Sequence, residues 1–216
     1  MKVVFDGTPF LLEKTGIGHY TENLIAHLLR SGIGLEAELF SISLRGGHRL
    51  KDVSPPLEGV TVKGFNLPAN FLYYTWWRRT DAFPAESLLG GFDIFHATNY
   101  QAPALREARL VSTVHDINFV RFPEMQSRGI RRFIAYLPEL LERSRVVLAD
   151  SRFTADELSE VYGLPPGKVE VVYPGLNPVF LEEPDPGEID TALRAYCLDP
   201  PYIAYVGNLH PRKNLA

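Results

Sequence analysis

The 216-residue sequence predicts an α/β protein built on a doubly wound, Rossmann-like parallel sheet. Two observations carry that prediction. Short β-branched runs alternate with longer amphipathic stretches, the pattern of strands joined through covering helices. Two of the runs, Asp93-Ile94-Phe95-His96-Ala97 and Leu110–Val114, read as short strands buried on both faces, as parallel strands are.

The elements follow in order. Val3, Val4 and Phe5 form a first strand that ends at Asp6-Gly7. After a loop, Tyr20, Leu24, Ile25, Leu28 and Leu29 share one helical face, and Arg30-Ser31-Gly32 closes that helix. Ala37–Ile42 is a second strand, and Val60–Val62 a third beyond a polar, proline-containing turn. After the two buried strands comes a helix over about Arg128–Arg143, then a strand at Val146–Ala149. Asp150 or Ser151 can cap the next helix, Phe153–Tyr162, which stops at Gly163 and Pro165. Val169–Val172 completes a sheet of about seven strands.

Residues 1–176 are therefore expected to form one domain. Between Asn177 and Asp190 the character changes, with three prolines, five acids and little periodicity. Residues 177–200 read as a linker, with a helix available at Ile189–Tyr196. Tyr202–Val206 reads as a new strand that opens residues 201–216, the start of a second domain. The expectation is a chain cut just after entering that domain, the alternative being that this last strand docks on the main sheet.

Composition narrows the function classes. Hydrophobic residues make up 45% and charged residues 22%, which is ordinary globular usage. A net charge of −4, with basic residues scattered, supplies no footprint for nucleic acid. The single cysteine, Cys197, excludes an internal disulfide framework and a cysteine zinc site, and suits a reducing cytoplasm. Lys2–Asp6 already reads as a strand, so no signal peptide is expected, and no uncharged apolar run approaches the roughly 20 residues of a membrane span. A cytoplasmic location follows as the expectation.

Four constellations can carry chemistry. In Lys14-Thr15-Gly16-Ile17-Gly18-His19-Tyr20, two glycines let backbone approach a ligand, and the helix that follows offers free N–H groups to an anion. A dinucleotide site fits poorly: the third fingerprint glycine falls on Thr21, and no acid ends the second strand at Ser41-Ile42-Ser43. Val114-His115-Asp116 stands at a strand's carboxyl end, where open α/β sheets bind ligands, beside the similar end at His96-Ala97-Thr98-Asn99-Tyr100. Asp6 can join them or simply cap its own loop. Asp150-Ser151-Arg152-Phe153-Thr154 reads first as a helix cap, with Ser151 and Arg152 also placed for ligand contact. Gly207 to Asn214 carries the adjacent pair Arg212-Lys213, a phosphate clamp if a domain surrounds it and a solvated turn if not.

The stretch Phe71-Leu72-Tyr73-Tyr74-Thr75-Trp76-Trp77-Arg78-Arg79 admits core packing, an acceptor-facing surface or membrane contact, in that order of preference. There is no Asp-x-Asp metal signature, Gly-x-Ser-x-Gly elbow or Walker loop.

Taken together, these segments resemble glycosyltransferase family 4, in particular its mannosyltransferase-like members of surface-polysaccharide assembly. The resemblance rests on Thr15 to Thr21, Phe95 to Tyr100, Val114 to Ile117 with Arg121-Phe122-Pro123-Glu124, Ala149 to Thr154, Val172-Tyr173-Pro174-Gly175 and Gly207 to Asn214. It implies the amino-terminal, acceptor-side half of a GT-B fold. It implies a retaining transfer of a hexose, with mannose the narrower reading, from a nucleotide-sugar to a saccharide or lipid-linked saccharide acceptor. His115 is then the residue at the reacting sugar, acting by position and charge more than as a base. Gly16, Gly18, Arg212 and Lys213 would hold the donor diphosphate. His19, Tyr20, Asn99, Asp116, Ser151 and Arg152 would line the substrate. No metal and no cofactor beyond the donor are expected, and a weak association with a membrane surface is compatible. The family's pair of donor-site glutamates is absent from the sequence, so the 216 residues alone are expected to be inactive. Two other readings stay open: a GT-B sugar-nucleotide epimerase, and a non-catalytic GT-B-like binding module.

Overall fold

Why this chain forms a two-faced sheet is visible in its first strand. In β1 (Lys2–Asp6), Val3 and Phe5 belong to one buried cluster and Val4 to another, because successive strand side chains point to opposite faces. Both faces therefore need cover. The computed structural model describes residues 1–11, 13–44, 57–125, 130–199, 201–207 and 213–215.

Six further strands join β1: β2 (Glu36–Ile42), β3 (Val60–Phe65), β4 (Ile94–Ala97), β5 (Arg109–Val114), β6 (Val146–Ala149) and β7 (Val169–Val171). All are parallel, in the order β3-β2-β1-β4-β5-β6-β7. The winding direction reverses between β1 and β4. In open parallel sheets the crevice at such a reversal, beyond the strands' carboxyl ends, is where ligands bind.

Helix α1 (Gly16–Arg30) covers one face through Leu24, Ile25, Leu28 and Leu29. The other face carries the larger core. There α2 (Ala69–Phe71) runs into a π-helical turn at Leu72–Trp76, followed by α3 (Glu86–Leu89), α4 (Asn118–Arg121), α5 (Ile130–Arg143) and α6 (Arg152–Tyr162). Tyr136, Leu137, Leu140 and Leu141 of α5 are all buried there. Helix α6 starts at Ser151, whose Oγ accepts Thr154 N–H at 3.1 Å, and ends on Gly163 in the left-handed region.

The strands and long helices thus fall close to where periodicity places them. The turn expected before β3 and the first residues of the expected Arg128–Arg143 helix lie outside the described residues. The chain divides into two compact units, Met1–Pro174 and Gly175–Ala216. The first contains the whole sheet. The second contains α7 (Pro186–Ala195), capped by Asp185 Oδ1 accepting Gly187 N–H at 2.8 Å.

One expected element is absent. Residues Tyr202–Val206 form no strand, and Ile203 and Val206 are almost fully exposed at 102% and 97%. A strand satisfies its backbone only through a neighbouring strand, and the seven-stranded ladder does not include this segment. Its apolar composition alone could not make it one.

Candidate active site

The strand order sets the carboxyl ends of β1, β4, β5 and β6 side by side, so four separate loops meet along one edge. His115, just past β5, is the residue they share. Its Nδ1 lies 2.6 Å from Asp150 Oδ2, just past β6, and its Nε2 lies 3.1 Å from the Thr98 carbonyl, just past β4. A carbonyl oxygen can only accept, and so can a carboxylate. Both partners are acceptors, and between them they fix the orientation of the His115 ring.

Two tyrosines wall the ring. Tyr20 of α1 meets it edge-on at 5.0 Å and 84°, and Tyr100 at 6.3 Å and 76°. Tyr100 sits at φ 56°, a left-handed backbone unusual for a bulky residue. Its hydroxyl closes the loop by donating to the Asp116 carbonyl at 3.0 Å and accepting Asp116 N–H at 3.1 Å. Burial, and then the Asp116 charge, push the Tyr100 phenol upward. Burial also raises Tyr20, whose hydroxyl lies 3.3 Å from Thr113 Oγ1.

Beneath this layer lie two buried ionisable groups. His96 Nε2 is 2.8 Å from Thr113 Oγ1, and burial together with the charge of His115 lowers the His96 pKa to about 4. His96 is therefore neutral near neutral pH. Asp6 is fully buried, and desolvation raises its pKa to about 7, although Thr8 N–H (3.0 Å) and Thr8 Oγ1–H (2.8 Å) both donate to it. Asp6 thus belongs to the foundation of this edge.

The other sequence-derived residues separate clearly. Gly16 is the first residue of α1, and its N-cap, Thr15, makes no side-chain cap bond. The first turn therefore keeps N–H groups available to an anion. Gly18 is buried, and a Cβ there would lie 2.7 Å from Lys14 Cγ and 3.3 Å from the Pro9 carbonyl, so its smallness serves packing. His19 is exposed, and its ring makes no hydrogen bond among the described residues. Asn99 donates weakly to Thr8 Oγ1 at 3.4 Å.

Asp116 Oδ1 accepts from Asn118 N (3.2 Å) and Nδ2 (2.5 Å), fixing the entry to α4. The Ser151 hydroxyl is occupied as the α6 cap, also meeting Thr154 Oγ1 at 3.0 Å. Arg152 is exposed at the first turn of α6. Lys213 is exposed in the second unit, and Arg212 lies outside the described residues.

Two participants carry no site role in the sequence reading. Asp150 and Ser151 are both candidate caps of α6; Ser151 takes that role and leaves the Asp150 carboxylate for His115. Tyr100 had no distinguishing signal, because its left-handed backbone is a product of the loop closure. Among the described residues no group of three or more His, Cys, Asp or Glu side chains could hold a metal ion. Nor is any described helix long and apolar enough to cross a membrane.

This arrangement, a histidine fixed between adjacent strand ends at the sheet's carboxyl edge, occurs on a chain whose residues 14–180 match Glycosyltransferase Family 4. The chain belongs to glycosyltransferase family 4. It is 25% identical over 229 residues to the O-antigen chain mannosyltransferase B of Escherichia coli, covering all of this chain and 58% of that protein. Among solved structures, Anabaena HepE in complex with UDP-glucose superposes with a TM-score of 0.59 at 15% identity, over 91% of this chain and 50% of that one. The sucrose-phosphate synthase of Thermosynechococcus elongatus gives 0.59 at 14% identity, over 92% and 53%. These similarities establish a Rossmann-like GT-B domain. The family 4 chain spans little more than half the length of these relatives.

Proposed function

We propose that this chain is the acceptor-side half of a retaining hexosyltransferase, which moves a hexose from a nucleotide-sugar to a saccharide acceptor in glycan synthesis. The observation that carries the reading is His115, locked by Asp150 and Thr98 at the sheet's switch-point edge. An imidazole fixed in one orientation there suits a reaction in which negative charge grows on a departing diphosphate. The uncapped start of α1 at Gly16 offers N–H groups to the same anion.

The chemistry follows from that charge distribution. The bond between the anomeric carbon and the diphosphate oxygen breaks while the acceptor oxygen bonds to that carbon on the same face. The acceptor's proton passes to the leaving diphosphate oxygen, so no protein base is required. Arg212 and Lys213 would neutralise the diphosphate in place of a metal.

Mannose is the narrower reading of the hexose, supported by similarity to a mannosyltransferase of O-antigen chains. A nucleotide-linked donor is supported by solved relatives named as complexes with UDP and UDP-glucose. The site leaves the choice of base open. The acceptor would be a saccharide, free or lipid-linked, met on the cytoplasmic side. The 216 residues by themselves would not turn over.

The test uses a protein carrying this chain together with a nucleotide-binding domain. It would be incubated with GDP-mannose, UDP-glucose and ADP-glucose, with and without oligosaccharide acceptor. Acceptor-dependent transfer that His115→Ala abolishes is the expected result. A rearranged sugar formed without acceptor, or transfer indifferent to His115→Ala, would overturn the reading.

A further inference from the structure

The aromatic stretch 71–79 separates into two faces. Leu72, Tyr73 and Trp77 are buried, with Tyr73 and Trp77 edge-to-face at 4.9 Å and Trp77 Nε1–H donating to the Phe83 carbonyl at 2.7 Å. Phe71 and Trp76 face outward, 49% and 39% exposed, with ring centroids 6.3 Å apart. The π-helical turn makes this split possible. Trp77 N–H reaches back to the Leu72 carbonyl at 2.9 Å, five residues earlier, so the turn is wider than an α-helical one.

Beside the widened turn lies a cleft of about 460 Å³, lined by Asn70, Phe71, Tyr74, Thr75, Arg78 and Ala135 of α5. A smaller hollow of about 320 Å³, at Ser43, Leu44, Pro68 and Ala69, shares Asn70 with it. The two adjoin at Asn70, near the carboxyl ends of β2 and β3, and are treated together as a groove. A chain of contacts leads from the groove to the site. Tyr74 meets Tyr136 edge-on at 6.1 Å, Tyr136 donates to the Ala102 carbonyl at 2.8 Å, and Ala102 follows Tyr100, which packs on His115.

We propose that this groove is a saccharide subsite that holds sugar units of the acceptor chain away from the point of transfer. The proposal rests on the transferase reading above. Its lining is mixed: the Phe71 ring offers an apolar face to the C–H side of a pyranose. The Asn70 amide and the Thr75 hydroxyl make no hydrogen bond among the described residues, so both can meet sugar hydroxyls. Among the described lining residues the one cation, Arg78, is held at 2.7 Å by Glu139 and lies over the Tyr136 ring at 5.9 Å, so it is already partnered. Two adjoining hollows suit consecutive sugar units better than a monosaccharide.

Saturation-transfer NMR of the 216-residue chain with an α-linked mannotriose and with maltotriose is the direct test. Saturation of at least one trisaccharide is expected, with affinity falling roughly three- to tenfold in Phe71→Ala and in Asn70→Ala at unchanged thermal midpoint. These positions are exposed, so the core is untouched. No saturation of either trisaccharide, or saturation indifferent to Phe71→Ala, would overturn the proposal. In the transferase with both domains, Phe71→Ala should raise the acceptor KM by a similar factor and leave the donor KM unmoved. An unmoved acceptor KM in an enzyme that His115→Ala silences would sink the groove and spare the transferase reading. An absence of transfer from every donor would sink that reading, and the NMR result would then decide the groove alone.

Discussion

Asp150 Oδ2 lies 2.6 Å from His115 Nδ1, joining the ends of two adjacent strands across 35 residues of sequence. The Thr98 carbonyl faces the other ring nitrogen at 3.1 Å. Replacing the Asp150 carboxylate therefore weakens one of the two contacts that orient the ring. In the two-domain transferase, His115→Ala should lower kcat by about a hundredfold, the scale for losing one donor aimed at developing charge. Asp150→Asn should cost roughly tenfold. The donor KM should stay unmoved, and Asp150→Glu should recover part of the loss by presenting a carboxylate to Nδ1 again. A kcat equal to wild type in Asp150→Asn would leave Asp150 with packing alone.

Asp6 and His96 pull the stability profile in opposite directions. Asp6, raised to about 7 by burial, binds an extra proton in the folded state between about pH 4 and 7, so its contribution falls as pH rises. His96, lowered to about 4, lacks a proton the unfolded chain would bind between about pH 4 and 6.5, so its contribution falls as pH drops. Together they nearly cancel over that window. Asp6→Asn should unmask the histidine, with the melting midpoint dropping by roughly 5 °C or more from pH 6.5 to 4.5 relative to wild type. His96→Gln should unmask the aspartate, with the opposite slope between about pH 4.5 and 7. Parallel profiles for wild type and both variants would refute the assignment.

The two glycines of the first helical turn should respond differently to alanine. A Cβ at Gly16 meets nothing within 4 Å, whereas at Gly18 it would press on Lys14 Cγ at 2.7 Å. Lys14 cannot easily retreat, because its Nζ bridges both Glu22 oxygens at 2.9 and 2.8 Å. Gly18→Ala should therefore lower the melting midpoint by roughly 2–4 °C, the effect of about 1 kcal/mol in a chain of this size. Gly16→Ala should leave it unchanged or slightly raised, since alanine favours helix. Thermal melts of the two single variants check this directly.

Ser151 acts as a cap, and its loss should read as a stability change. Ser151→Ala removes the bond to Thr154 N–H and should cost about 1 kcal/mol. Ser151→Asp should restore most of it, because a carboxylate accepts the same N–H. If donor affinity in the two-domain protein changes while the melting midpoint holds, the hydroxyl serves substrate instead.

Much of this protein was determined by its sequence alone. Strands β1 to β7 and helices α1, α5 and α6 follow from local periodicity and from stop signals such as Gly163, which act within a few residues. His115 was also legible, because a polar residue at the end of an apolar strand run is a local signal. The tertiary structure decided what each polar group faces. Strand order alone brings Asp150 to His115, closes Tyr100 into a left-handed backbone, and buries Asp6 and His96 deeply enough to move their protonation. It also decided that Leu72, Tyr73 and Trp77 enter the core while Phe71 and Trp76 do not, and that Tyr202–Val206 forms no strand. The reason is physical: propensity and capping are properties of neighbours in the chain. Desolvation, pairing and backbone strain belong to neighbours in space, and those exist only once the sheet has assembled.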